Sequence, residues 1–272
     1  QMCSPDFSSS IGRLVDDNKE LAMFFYRNVP RQNNFELIYN DIESNLKTIK
    51  KINFAGGEPL LNKDNIKLLK KLIEIGNTEC EICIITNASA LNPEWISLVK
   101  HFRKTHWTIS VDGIDIVGEY IRVGTIWPTV ESNIKTILSF NHYVALNTTL
   151  SAYSVLDLSR TVEFFIKLKE QRSKNFEQWF GICQYPEYLN PYLLYDEYAQ
   201  KASEEILKSI ELLRTVPDNA HRSINELQNI LDNLGTIKDN QIINKFKEYT
   251  KAMDNIHQHS FTSTFNMENP YV

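Results

Sequence analysis

The sequence predicts an α/β protein of parallel strands joined by helical crossovers. From Ile52 onward, short apolar runs rich in strand formers alternate with amphipathic helical stretches, the rhythm of right-handed β–α–β units. Several runs end in polar residues, as in Ile84-Ile-Thr-Asn-Ala88 and Thr108-Ile-Ser-Val-Asp-Gly113. The chain has 272 residues, 42% of them apolar, which is enough for one large core and is the length an α/β barrel uses.

The organising stretch is Lys51-Ile-Asn-Phe-Ala-Gly-Gly-Glu-Pro-Leu-Leu-Asn62, which reads as strand, tight turn and helix. Gly56 and Gly57 permit positive φ and a close backbone approach to a ligand. Glu58 sets a carboxylate at the strand end, suited to an ammonium group, and Pro59 fixes the exit of the turn. Upstream, Ile11 to Phe24 and Phe35 to Lys50 carry helical spacing, separated by a basic break at Arg27 to Asn34.

Downstream, Lys63 to Ile75 is a helix closed by Gly76-Asn77, and Glu81 to Thr86 is the next strand. Asn92-Pro93-Glu94 caps a helix through Val99, His106 to Val111 is a strand, and Trp127-Pro128 leads into another helix. Tyr143 to Leu150 alternates as a strand, Val155 to Leu168 reads as a helix and Phe176 to Gln184 as the last strand. Beyond Pro191 the pattern is nearly all helix: Tyr195 to Leu213, His221 to Leu234 and Asn240 to Ala252, with a turn at Pro217-Asp218-Asn219.

In parallel α/β folds ligands gather at the carboxyl ends of strands, so Glu58, Thr86, Asn87, Ser110 and Asp112 are expected on one rim. Each also reads as an ordinary turn former. Arg122 offers a fork that fits a carboxylate, with a surface salt bridge as the alternative reading.

A formal charge of −5 and a pI near 5.8 give no basic excess and argue against nucleic acid as a partner. No apolar run has the ~20 residues of a membrane span and no signal peptide is evident, so a cytoplasmic protein without a membrane partner is expected. Cys3, Cys80, Cys83 and Cys183 are too few for a disulfide framework. Cys80 and Cys83 are expected to be structural, and His257 and His259 lack the surroundings of a metal site.

In chain order, Met2-Cys-Ser-Pro5, Gly56-Gly-Glu-Pro59, Thr86-Asn87 and Ser110-Val-Asp-Gly113 resemble the radical S-adenosylmethionine (radical SAM) superfamily, particularly its branch with SPASM or twitch extensions. The resemblance covers roughly Gln1 to Gln184, with a weaker echo in Met253 to Phe261 and Phe265-Asn266. It implies a partial (β/α)6 TIM-like barrel missing its first strand over residues 1–190, then a helical C-terminal region with a twitch-like closing motif over residues 191–272. It also implies a [4Fe–4S] cluster held by three cysteines spaced C-x3-C-x2-C, with one iron left for S-adenosylmethionine.

Cys3 matches the last of those cysteines and is the candidate metal ligand; its partners and the first strand are expected upstream of Gln1. One thiolate does not hold a cubane, so the chain as it stands is expected to be inactive. By the same resemblance Met2 lies near the adenine, Gly56, Gly57, Glu58 and Pro59 serve the methionine ammonium, and Arg122 serves its carboxylate. Thr86, Asn87, Ser110, Asp112 and Asn147 complete the cofactor rim. The intact protein is expected to cleave S-adenosylmethionine reductively to a 5′-deoxyadenosyl radical, with a reducing electron donor and a peptide or protein as the substrate class. No cysteine follows Cys183, so auxiliary clusters are not expected. The rival reading is a non-catalytic scaffold that keeps the barrel without its cluster.

Overall fold

The computed structural model describes residues 42–172, 174–216, 220–256 and 259–271, together with Glu20, Met23, Phe24 and Tyr39. Met2, Cys3, His257, most of the two helices expected before residue 50 and the Pro217-Asp218-Asn219 turn lie outside the described residues.

Among the described residues, five strands form one parallel sheet in sequential order: β1 (Lys51–Phe54), β2 (Glu81–Thr86), β3 (Thr105–Ser110), β4 (Tyr143–Leu150) and β5 (Phe176–Ile182). The crossovers contain α1 (Lys63–Glu74), α2 (Pro93–Val99), α3 (Asp115–Ile121), α4 (Trp127–Leu138) and α5 (Leu158–Gln171). Right-handed crossovers between strands taken in sequence place these helices on one face, and burial shows which. Ile82, Ile84, Trp107, Ile109, Val144, Leu146, Phe176 and Phe180 are buried, while Cys83, His106, Thr108, Asn147, Glu177 and Trp179 on the other face are half-exposed. The fold is α/β, with the arrangement expected of a partial TIM-like barrel.

The local chemistry explains the boundaries. Asn62 Oδ1 accepts from the Asp64 amide at 2.9 Å to start α1, and Asn92 Oδ1 accepts from Glu94 at 2.9 Å to start α2, with Pro93 where a missing N–H costs nothing. Gly76 at φ +76° ends α1, and the Asn77 amide donates back to the Leu72 carbonyl at 2.9 Å. α1 buries Ile66, Leu68, Leu69 and Leu72, while Trp95 of α2 meets Phe54 of β1 edge to face.

The helical C-terminal part comprises α6 (Asp196–Arg214), α7 (Ala220–Asn233), α8 (Asn240–Asp254) and the short α9 (Phe261–Phe265). It packs on the crossovers through an aromatic cluster in which Tyr153 meets Phe246, Phe261 and Phe265, with its hydroxyl 2.8 Å from Thr250 Oγ1. Asp254 accepts from the Tyr120 hydroxyl of α3 at 2.7 Å, from Tyr271 at 2.7 Å and from the Phe261 amide at 2.8 Å.

Between β3 and α3 the chain turns back so tightly that two glycines touch. A Cβ on Gly118 would stand 2.5 Å from the Gly113 carbonyl oxygen, and one on Gly113 would stand 2.8 Å from Val117 Cγ1. Gly118→Ala is therefore expected to cost about 2 kcal/mol through overpacking, against the gain of up to about 1 kcal/mol that alanine brings to an unhindered helix. Urea unfolding measures this directly, and an unchanged midpoint would show that the close approach is not required.

Candidate functional site

The carboxyl end of β1 leads through Gly56 at φ +88° and Gly57 at φ +55° into Glu58, so both glycines adopt the left-handed conformation the turn requires. Glu58 then caps a 3-10 turn at Pro59–Leu61. Its Oε1 accepts from Thr86 Oγ1 at 2.6 Å and from the Leu60 amide at 3.3 Å, while Oε2 accepts from the Asn87 amide at 2.9 Å. A residue at the end of β1 is thereby fixed to the end of β2. Burial pushes the Glu58 carboxyl above the usual carboxylate range, and the bonds from Thr86, Asn87 and Leu60 and the charge of Arg122 offset it only in part.

Thr86 is buried, and its Oγ1 also accepts from the Ala88 amide at 3.0 Å, which directs the hydroxyl proton to Glu58. Ala88 pays for that bond with a left-handed φ of +55°, about 1 kcal/mol for a non-glycine residue. Asn133 of α4 holds it there by donating to the Ala88 carbonyl at 2.8 Å. Asn87 contributes its backbone, since its side chain accepts from the Ser89 amide at 2.8 Å.

The end of β3 supplies the second half of the rim. Arg122 Nε and Nη2 both reach Asp112 Oδ2, at 2.9 and 2.7 Å, and Asp112 Oδ1 accepts from the Thr149 amide at 2.8 Å. The Asp112 side chain is 8% exposed and that of Arg122 25%, so this is a largely buried pair rather than a surface one. Ser110 and Asn147 are register partners on the half-exposed face, and the Val111 amide donates to the Asn147 carbonyl at 2.9 Å.

The structure thus brings Glu58, Thr86, Asn87 and Gly57 together in one knot, and Asp112, Arg122 and Thr149 in a second. Ser110 and Asn147 lie beside that second knot at the ends of β3 and β4. Thr149 and Leu60 were not anticipated: both contribute backbone amides, which leave no mark in side-chain patterns. Cys80, just before β2, is buried, and Cys83 in the first half of β2 is half-exposed, so their side chains lie in different surroundings. Cys183 follows β5 and is buried, which pushes its thiol up to about 11.

A parallel sheet with a carboxylate, two left-handed glycines and a buried ion pair at the carboxyl ends of its strands defines a barrel-type α/β protein with a strand-end site. The family model described as "Radical SAM superfamily" matches residues 12–151, just over half of the chain, and the chain belongs to that superfamily. Membership implies a [4Fe–4S] cluster and S-adenosylmethionine as cofactors. Among solved structures, SuiB of Streptococcus suis bound to S-adenosylmethionine is similar at 16% identity and a TM-score of 0.37, over 64% of this chain and 48% of that one. The chain spans about half the length of that protein. No curated protein matches it.

The rim fits the ammonium of S-adenosylmethionine. Glu58 presents an oriented carboxylate in a partly desolvated setting, where a cation favours the charged form. Among the described residues, a Cβ on Gly56 would meet nothing within 4 Å.

Proposed function

We propose that this chain is the barrel core of a radical SAM enzyme, with residues 1–190 as the core and residues 191–272 as a helical region of the twitch or SPASM kind. The single observation that carries the reading is the Glu58 carboxylate, held at the strand ends by Thr86 and Asn87 and raised in pKa by burial. Glu58, with the Gly56 and Gly57 backbone and Pro59 behind it, receives the methionine ammonium of S-adenosylmethionine. Thr86 and Asn87 keep the carboxylate oxygens aimed.

Arg122 offers its remaining guanidinium edge to the methionine carboxylate while Asp112 anchors it. Ser110 and Asn147 line the neighbouring strand ends, and Met2 serves the adenine by the family resemblance. Cys3 is the cluster ligand this chain contributes within the family's three-cysteine motif. When bound, the cluster and S-adenosylmethionine supply one-electron cleavage of the sulfonium to a 5′-deoxyadenosyl radical, the cofactor performing the hard chemistry. The substrate class is a peptide or protein, modified by hydrogen abstraction.

The test is Glu58→Gln in protein carrying that complete motif. A charge-assisted hydrogen bond is worth about 1.5–3 kcal/mol, so S-adenosylmethionine affinity should fall by roughly tenfold to a hundredfold by calorimetry. In the unaltered protein, affinity should also fall as pH drops through the raised Glu58 pKa, because protonation removes the charge the ammonium meets. The Gln variant should lose that pH dependence. Equal affinity of the two proteins at neutral pH would falsify the ammonium role.

A further inference from the structure

The half-exposed face of the sheet carries a second constellation, away from the rim and unused by the reading above. Glu81 and Cys83 stand two residues apart on β2 and so point to the same face, and His106 of β3 is the register partner of Cys83. One ligand atom from each of the three lies within 4.8 Å of the others, and Cys83 Sγ is 3.4 Å from Glu81 Oε1. Lys51 of β1, the register partner of Glu81, reaches the same Oε1 at 2.7 Å, and the His106 ring stacks obliquely near Tyr143 with centroids 5.2 Å apart.

We propose that Glu81, Cys83 and His106 form a binding site for a divalent ion of the zinc type. The donor set is sulfur, imidazole nitrogen and carboxylate oxygen, the ligand types zinc takes in tetrahedral sites. Bond lengths of about 2.0–2.3 Å at tetrahedral angles put paired ligand atoms roughly 3.5 Å apart, so rotamer adjustments close the present spacing. Three protein ligands leave a fourth position for water or a ligand from solution. Thiolate and carboxylate together neutralise the ion's two charges. Binding releases the Cys83 thiol proton to solvent and frees the Lys51 ammonium from Glu81. Cys80, which precedes β2 and is fully buried, is not among the three clustered ligands. The site lies three residues from Thr86 along β2, about 10 Å at the rise of a strand, and so is separate from the cofactor rim.

Because Cys3 also binds metal in the family motif, the experiment must read Cys83 itself. The full chain, reduced and metal-free, is titrated with zinc chloride, and the alkylation rate of each cysteine is followed by peptide mass spectrometry. Zinc is expected to slow alkylation of Cys83 by about tenfold or more, because the thiolate that would attack the reagent is held by the ion. Cobalt chloride should give a thiolate-to-cobalt absorption that disappears in Cys83→Ser and weakens in His106→Ala. Lys51→Met should tighten zinc binding several-fold, since its ammonium competes for Glu81; a purely structural ion pair would leave the affinity unchanged. An alkylation rate at Cys83 that zinc does not alter overturns the proposal even if the variants fail to fold. Cobalt absorption that survives both replacements overturns it too.

Discussion

Asp112→Ala is expected to lower the melting temperature by roughly 6–12 °C, the equivalent of about 3 kcal/mol in a chain of this size. The carboxylate is almost fully buried and holds two groups at once. Its removal leaves the Arg122 guanidinium desolvated without a counter-charge and takes the acceptor from the Thr149 amide. The cost arises mainly from what is left behind, which makes it testable by a cycle. Arg122→Met alone should cost less, and the double variant Asp112→Ala, Arg122→Met should recover part of the loss, because no unpaired charge remains. Strictly additive effects would mean that the two side chains act independently in solution, contrary to the geometry.

The second large effect is expected at Asp254. Its carboxylate accepts from Tyr120, Tyr271 and the Phe261 amide, and so ties α3, the start of α9 and the C-terminal segment to the end of α8. Asp254→Ala should cost about 3 kcal/mol, since each hydrogen bond to a charged acceptor is worth about 1.5–3 kcal/mol and the freed donors recover part of that from water. Burial and the neighbouring carboxylate both push the Tyr120 phenol upward, so the hydroxyl stays protonated and keeps donating at any ordinary pH. Tyr120→Phe should cost less than Asp254→Ala, and adding it to Asp254→Ala should cost little more. Denaturant unfolding of the four proteins reads this coupling; a full additional loss in the double variant would show that the contact is not shared.

The strands were legible because each alternates or runs apolar between turn residues, and the structure finds all five where that pattern put them, within a residue or two. The C-terminal helices were legible for the same reason, through apolar residues at helical spacing. α3 was not read as a helix: it has only seven residues, with Gly118 in its middle and no side-chain cap, so local propensity is silent and the contact with Gly113 decides. At the site, residue types at strand ends were visible but their partners were not. Glu58 and Thr86 lie 28 residues apart, and Asp112 meets Arg122 only because α3 folds back across the end of β3. Arg122 had two readings, a fork for the methionine carboxylate or a surface salt bridge. The structure gives it a buried partner, which neither reading specified. Cys80 and Cys83 show the converse, since their spacing suggests a pair but their side chains lie in different surroundings.

That same alternation divides labour within each strand. Odd and even positions answer to different constraints: one set must interlock with the helices to hold the fold, while the other is answerable only to whatever occupies the hollow. His106, Thr108, Ser110 and Asn147 belong to the second set, and Trp107, Ile109 and Val111 to the first. A lineage can therefore retune the chemistry of the hollow one neighbouring residue at a time while its scaffold stays under separate selection.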